Sequence, residues 1–335
     1  MPFEIVRNDI CNMQADAIVN TANPRPVVGA GTDSAIHKKA GPALLEARRK
    51  IGDIPVGSAA VTPAFGLSAK YVIHTVGPVW EGGSHDEERL LRLCYENALQ
   101  LALEQGCQSI AFPLISTGSY GFPKDKALQI AVSVFSAFLL KEEMQIFLVV
   151  FDRTAFHLSE KLFRSVASYI SEHYVQTYER QTYGRPDARR IMARATRRAP
   201  ETIMAAPCAD TACSLQDFVK EKDAGFTETL LSLIEKGGHK KSAIYKKANI
   251  SKQHFSKLVN DPNARPSKQT AIALALALEL DLEETRDLIG RAGYALTNSS
   301  TFDLIIRYFI EHRSYNIIEI NIALYEFDQV LLGSV

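Results

Sequence analysis

The first half of the chain alternates β-branched apolar runs with amphipathic helical patterns, and this alternation limits the folds open to it. Short runs typical of buried strands read AIVNTA, YVIHTV, SIAFPLIS and QIFLVVF. Helical periodicity occupies the segments 32–51, 86–104 and 124–140 between them. The alternation predicts an α/β fold in which a largely parallel sheet is covered by helices. In such a sheet, ligands bind beyond the carboxyl ends of the strands.

The second half of the chain changes character twice. Arginines and prolines crowd the segment 176–224, which predicts a basic linker whose charge is either solvated or used to bind phosphate. From 225 to 335 the pattern is helical throughout, with Ser251 and Ser267 placed to cap helices. A length of 335 residues accommodates two domains of this kind.

Composition excludes several broad classes of protein. Lysine plus arginine equals aspartate plus glutamate at 38 each, so no overall charge favours nucleic acid or a membrane surface. No basic amino-terminal segment precedes an apolar run, and no apolar stretch reaches the length of a membrane span. The five cysteines form no CxxC pair. We therefore expect a cytoplasmic protein with reduced thiols, no membrane contact and no zinc site.

The first candidate ligand loop follows the strand that ends at Asn20. Asn23 comes next, then the small-residue segment Val28, Gly29, Ala30 and Gly31, and a helix that opens near Thr32 or Asp33. Glycines let a backbone approach a ligand closely, and the amide hydrogens at a helix amino terminus suit a pyrophosphate. This combination of an amide, small residues and a carboxylate predicts a phosphate-binding loop.

A second candidate loop lies where another strand ends, before Pro123 begins a helix. It consists of Ser116, Thr117, Gly118, Ser119, Tyr120 and Gly121. Hydroxyls and successive backbone amides can grip phosphate, and the aromatic ring can stack on a sugar. Two loops of this type in one sheet indicate a diphosphate held from both sides.

The segments VNTAN, GAGTDSAIHKKAG, KYVIHTVGPVW and PLISTGSYGFP occur in the order seen in the macrodomain family, and resemble its MacroD-type hydrolases in particular. The resemblance runs over most of residues 1–170 and assigns 1–175 to the domain. It implies a three-layer fold with a mixed, largely parallel sheet that binds ADP-ribose. It also implies metal-independent hydrolysis, without a cofactor, of mono-ADP-ribosyl esters, either on protein Asp or Glu side chains or as O-acetyl-ADP-ribose.

The same resemblance implies roles for individual residues at the two ends of the ligand. Asp9 matches an acidic residue that accepts a hydrogen bond from the adenine amino group, with Ile10 beside it, and Phe151 matches an aromatic position near the adenine. Asn23 matches the asparagine that holds the distal ribose. Asp33 matches the carboxylate that activates or orients the attacking water, although an aspartate at this position also commonly caps a helix.

Three features of the site stay open at this stage. His37 falls one helical turn after Asp33, where it either steadies that carboxylate or is a structural histidine. His74, inside a strand, is expected to be a hydrogen-bonded core residue. Ala30 stands where the family commonly has glycine, so the loop must shift if that position needs a positive φ. A non-catalytic ADP-ribose reader is the alternative to a hydrolase.

The helical segment 225–335 resembles a helix-turn-helix of the phage-repressor type, with a turn at Ile250-Ser251. Such a motif would present Lys252 and Lys257 to the major groove of DNA. The helices that follow are apolar or acidic, which favours instead a protein-interaction or homodimerisation module. In that case Ile272, Leu276 and Leu280 should be buried within the segment. A DNA-binding regulator that senses ADP-ribose is a further alternative.

Overall fold

The computed structural model describes residues 2–150, 165–171, 224–261 and 264–333. Phe151 and nearly all of the predicted basic linker, 176–224, lie outside the described residues. No helix in the described ranges is both long and apolar enough to cross a membrane.

A six-stranded sheet forms the centre of the first half of the chain, with the order β1-β6-β5-β2-β4-β3. The strands are β1 Phe3–Arg7, β2 Ala17–Thr21, β3 Ala59–Pro63, β4 Tyr71–Thr75, β5 Ser109–Phe112 and β6 Gln145–Val150. Every neighbouring pair is parallel except β3 and β4, which are antiparallel. The sheet is therefore mixed and largely parallel, as the sequence predicted.

Helices cover both faces of this sheet. They are α1 Thr32–Ala40, α2 Pro42–Ile51, α3 Glu87–Glu104 and α4 Lys124–Lys141. Alternate strand residues face opposite sides: Ile18 packs in a core with residues of α1 and α2, whereas Val19 packs in another core with residues of α3 and α4. The period-two alternation of buried strand residues thus builds the three layers.

Three details of the first half differ from the sequence prediction. The strand β1 was not among the four predicted runs, although its residues alternate in burial as a strand should. The helical pattern over 32–51 is two helices, because Gly41 adopts φ +86° and Pro42 begins a new helix. The strand β3 was not predicted, since its residues are small and only Thr62 among those before Pro63 is fully buried. An edge strand with little buried surface leaves a weak hydrophobic pattern.

The second half contains seven helices among its described residues. They are α5 Phe226–Lys236, α6 Lys241–Lys247, α7 Lys252–Asn260, α8 Lys268–Ala277, α9 Leu282–Arg291, α10 Thr301–Glu311 and α11 Ile317–Glu326. Ser251 caps α7 by accepting a hydrogen bond from the His254 amide, and Ser267 caps α8, as predicted. The apolar residues of α8 are fully buried, including Ile272 and Leu276.

The helical half packs directly on the β1 side of the sheet. Asn249, in the turn between α6 and α7, donates to the Phe3 carbonyl at 3.0 Å and accepts from the Phe3 amide at 2.8 Å. Lys246 donates to the Lys141 carbonyl at the end of α4, at 2.8 Å. One continuous hydrophobic core contains residues from β1, α4 and the helices α5–α11. Both halves therefore stabilise each other through shared burial.

Candidate active site

A cavity of about 700 Å³ opens beyond the carboxyl ends of the parallel strands. Most of the side chains predicted to form the site line it: Asp9, Ile10, Asn23, Gly29, Ala30, Gly31, Asp33, Ser116, Thr117, Gly118, Ser119 and Tyr120. Val28 and His37 are not among the lining residues. Both predicted loops reach this cavity, so the sheet topology brings them together as expected.

The first loop packs so tightly that its conformation depends on glycine at one position. A Cβ at Gly29 would lie 2.7 Å from the Asn23 Nδ2 atom, which no real side chain could tolerate without displacing Asn23. The positive φ of the loop falls on Gly31, at +65°, while Ala30 is not among the positive-φ residues. An alanine at position 30 is therefore compatible with the loop, and the shift considered from the sequence is not needed.

Asp33 is held by hydrogen bonds to both of its carboxylate oxygens. Its Oδ2 atom accepts from the Gly29 amide at 2.5 Å, and its Oδ1 atom accepts from the Asn20 side-chain amide at 2.6 Å. The residue is only 3% exposed, yet it lines the cavity. The helix begins at Thr32 with Gly31 as its cap, so Asp33 does not serve as the helix cap.

His37 lies behind Asp33, with its Nε2 atom 3.5 Å from the Asp33 Oδ1 atom. Burial lowers the pKa of His37 below its usual value, the Arg48 cation lowers it further, and the Asp33 charge opposes both effects. At neutral pH the ring is therefore uncharged. Since it does not line the cavity, any effect of His37 on a ligand must pass through Asp33.

A buried arginine holds the loop that carries Asn23. Arg48, on α2, is 2% exposed and donates to the backbone carbonyls of Asn23, Pro24 and Gly52. The Asn23 side chain donates to the Val27 carbonyl at 3.0 Å and leaves its Oδ1 atom 3.4 Å from the Tyr120 hydroxyl. Asn23 thus joins the two loops across the cavity.

The second loop combines a strained backbone with a buried hydroxyl. Ser116 has φ +64°, which is uncommon for a residue other than glycine, and is 7% exposed. Its Oγ atom has no hydrogen-bond partner among the described residues. Gly77 makes room for it, because a Cβ there would come within 2.1 Å of the Ser116 Oγ atom. A strained residue with an unused buried donor at a cavity wall is typical of a ligand-binding loop.

The opposite end of the cavity is formed by the segment after β1. Asp9 begins a short 3₁₀ helix, Ile10–Asn12, and its Oδ1 atom accepts from the Cys11 amide at 2.9 Å. The carboxylate therefore has a structural bond as well as access to the cavity, and its second oxygen can accept from a ligand. Phe151, the predicted aromatic neighbour, lies outside the described residues.

Sequence reasoning missed Arg48 and Gly77, described above, and two further contributors to this site. Lys124, the first residue of α4, lines the cavity beside the second loop and places a cation near the positive end of that helix. Asn20 was treated only as the end of a strand. The position of Lys124 directly after the loop and Pro123 could have indicated its contribution. The role of Asn20 depends instead on contacts between strands that are far apart in the sequence.

Comparison with known proteins gives consistent matches. The family model described as Macro domain matches residues 19–131, a range that contains both loops. An O-acetyl-ADP-ribose deacetylase of Citrobacter rodentium is 49% identical over 166 residues, covering 48% of this chain and 94% of that protein. An O-acetyl-ADP-ribose deacetylase of Escherichia coli strain K12 is 46% identical over 166 residues, with the same coverage of both chains.

A similar region appears among solved structures. An Oceanobacillus iheyensis macrodomain mutant with ADPR is 38% identical to this chain, with a TM-score of 0.45. The match covers 46% of this chain and 87% of the mutant's chain. The helices α5–α11 all lie beyond the residues that the family model matches.

Proposed function

Because this chain belongs to the macro domain family, we propose that its cavity binds ADP-ribose and hydrolyses mono-ADP-ribosyl esters, releasing ADP-ribose and a carboxylic acid. The observation that carries this proposal is the placement of Asp33, a carboxylate held at both oxygens, in the wall of a cavity that also contains two phosphate-type loops. The ester is either O-acetyl-ADP-ribose or an ADP-ribosylated Asp or Glu side chain.

Binding would use the parts of the ligand that do not react. The Asp9 carboxylate accepts a hydrogen bond from the adenine amino group, and the amides of both loops bind the diphosphate. The first residues of α1 and α4, Thr32 and Lys124, both line the cavity, so the positive dipole ends of both helices lie at its wall. This remote binding energy fixes the distal ribose at Asn23, next to Asp33.

The reaction consumes one water molecule. Asp33 orients the water by accepting one of its hydrogens, and Asn23 holds the ribose hydroxyls so that the ester faces the water. The water oxygen bonds to the acyl carbon as the bond between that carbon and the ribose oxygen breaks. A proton from the water passes to the ribose oxygen, so the products are one carboxylic acid and one ribose hydroxyl. Because the carboxylate is held from both sides, little reorganisation is needed to reach the reactive geometry.

Hydrolysis is tested by incubating the protein with O-acetyl-ADP-ribose and, separately, with a protein auto-ADP-ribosylated on Glu. We expect loss of the acyl or protein link with wild type and at least a ~100-fold slower loss with Asp33→Ala, the usual scale for a general base. If wild type binds ADP-ribose by calorimetry but releases nothing from either substrate, the protein is a reader of ADP-ribose rather than a hydrolase.

A second function, DNA binding, is favoured by the surface of the helical half. The buried face of α7 carries Phe255 and Leu258, and its exposed face is polar and basic. That exposed face consists of Lys252, Gln253, Ser256, Lys257 and Asn260. Part of the surface of α10 and α11 is instead occupied by contacts within the chain. Tyr308 donates a hydrogen bond to Ser165, and Asn316 donates one to Ser136. These contacts weaken the argument that 301–332 is a dimer surface, which is the other role considered for the helical half.

Gel-shift titrations of the full chain against random duplex DNA test this second function. If α7 contacts DNA, the logarithm of affinity should fall steeply with the logarithm of salt concentration, and Lys252→Ala with Lys257→Ala should reduce that slope by about two units. Weak, salt-insensitive binding together with a stable dimer in light scattering would instead identify the helical half as an interaction module.

A further inference from the structure

A file of buried polar side chains runs across three adjacent strands and ends at Asp33. Thr62 lies on β3, His74 on β4 and Asn20 on β2, and the strand register places Asn20 opposite His74. Asn20 and His74 are 0% exposed and Thr62 is 3% exposed. Polar groups this deeply buried cost stability unless their hydrogen bonds are made, so the partners of each group decide how it is oriented.

The direction of each hydrogen bond in the file follows from the chemistry of the groups. The Asn20 Nδ2 atom lies 2.6 Å from the Asp33 Oδ1 atom and 3.1 Å from the His74 Nδ1 atom. An amide nitrogen only donates, so the His74 Nδ1 atom must accept and the ring proton must reside on Nε2. The Nε2 atom lies 3.0 Å from the Thr62 Oγ1 atom, which is thereby the acceptor.

These hydrogen-bond directions leave one buried polar atom without a partner. The Asn20 Oδ1 atom is buried and has no partner among the described residues. Reversing the amide would place that oxygen against the Asp33 carboxylate and repel it. Burial lowers the pKa of His74 to about 3, and the Arg48 charge and a protonated His37 act in the same sense, so the ring stays neutral and able to accept.

We propose that His74 is a positioning residue for Asp33, acting through Asn20, and that Thr62 stabilises the ring tautomer this requires by accepting a hydrogen bond from Nε2. The inference rests on the proposed role of Asp33 in hydrolysis. Without an acceptor on the ring, the Asn20 amide loses the contact that keeps its nitrogen facing Asp33. The carboxylate then samples orientations from which it cannot align water, while the adenine and diphosphate contacts remain intact.

The first experiment compares kcat with ligand affinity in His74→Phe and Thr62→Val. We expect kcat to fall on the order of tenfold in His74→Phe, less than the roughly 100-fold cost of a large misplacement of a reacting group. Thr62→Val should show a smaller fall. The dissociation constant of ADP-ribose, measured by calorimetry, should stay within about twofold in both, since neither residue lines the cavity.

The chain offers a matched control for the threonine change. Thr75 is also 0% exposed, also lies in the sheet and donates its hydroxyl hydrogen to the Ser58 carbonyl at 3.1 Å, outside the file. Thr75→Val should therefore leave kcat unchanged. His74→Gln should recover part of the rate lost in His74→Phe, because glutamine restores an acceptor and a donor in one side chain.

A double variant separates positioning from a general effect on the fold. Adding His74→Phe to Asp33→Ala should slow the residual single-turnover rate no further, because no carboxylate remains to be oriented. A further fall of the same factor as in wild type would overturn the proposal, as would equal losses of kcat in Thr62→Val and Thr75→Val.

The two proposals can fail separately. If Asp33→Ala is inactive while His74→Phe, His74→Gln and Thr62→Val all hydrolyse at the wild-type rate, positioning by His74 is wrong and the proposed hydrolysis stands. A wild-type rate in Asp33→Ala would overturn both. Should His74→Phe fold poorly, Thr62→Val and His74→Gln carry the same comparison.

Discussion

In the candidate site, sequence patterns do not separate the structural role of a side chain from its role at the cavity. Asp9 caps a 3₁₀ helix and still lines the cavity, and His74 is the core residue that its strand position suggested. The residue types and their positions relative to strand ends were predictable, because local patterns determine them. The connection from His74 to Asp33 was not, since it depends on which strands are neighbours.

Replacing Asp9 by asparagine separates its two tasks. Asparagine keeps an oxygen for the Cys11 amide but removes the charged second acceptor that would face adenine. We expect ADP-ribose binding in Asp9→Asn to weaken by about 1.5–3 kcal/mol, the usual contribution of a hydrogen bond to a charged group. Calorimetry measures this loss, and an unchanged dissociation constant would contradict the assignment of Asp9.

The buried His74 ring also makes stability depend on pH. Its folded-state pKa of about 3 lies below the unfolded value of 6.5, so the unfolded chain binds a proton first as pH falls. Above pH 6.5 the ring is neutral in both the folded and the unfolded state, and the full stability is present. As pH falls from 6.5 toward 3, the free energy of unfolding decreases by up to about 1.4 kcal/mol per pH unit. Urea unfolding of His74→Phe between pH 7 and 5 should show a shallower loss, and an identical slope would contradict this.

At the scale of loops and helices, glycine placement distinguishes positions that differ little in sequence. Gly29 touches Asn23 and Gly31 has a positive φ, whereas a Cβ at Gly118 would meet nothing within 4 Å. The sequence indicated that both loops bind phosphate, and the starts of α7 and α8 followed from their capping residues, Ser251 and Ser267. It did not reveal β3, whose small residues bury little, or the break at Gly41.

The open space at Gly118 allows a test of the second loop that spares the fold. Gly118→Glu adds an anion to the wall where the diphosphate should lie, so ADP-ribose binding should be lost, by about 100-fold or more if two like charges meet within a few ångströms. Gly118→Ala should bind normally and serves as the control. Circular dichroism checks folding, and retained binding in the glutamate variant would place the phosphates elsewhere.

At the scale of the whole chain, the helical half and the sheet form a joint core. The main polar link is Asn249, whose side chain satisfies both backbone groups of Phe3 from a left-handed turn with φ +55°. Nothing local in the sequence indicated this contact, because the two residues are separated by most of the chain. The helices themselves were predictable, whereas their docking on the sheet was not.

Two substitutions at Asn249 separate its hydrogen bonds from its backbone conformation. Asn249→Gly keeps the left-handed turn but leaves the Phe3 amide and carbonyl unpaired, at a cost of about 1–3 kcal/mol for each buried group. Asn249→Ala should lose roughly 1–2 kcal/mol more, because a Cβ disfavours this φ. Denaturant unfolding of the full chain measures both, and a glycine variant as stable as wild type would show that the contact contributes nothing.

The joint core also means that non-covalent contacts hold the two halves together, in addition to their covalent connection. Cutting the chain once between residues 171 and 224 would leave the contacts of Asn249, Lys246 and the apolar core in place. Two separately produced polypeptides that meet at such a cut should therefore associate when mixed, and each should be recovered with a tag carried only by the other. The protein would then work as a split reporter in which the first polypeptide carries all the residues that line the ligand pocket.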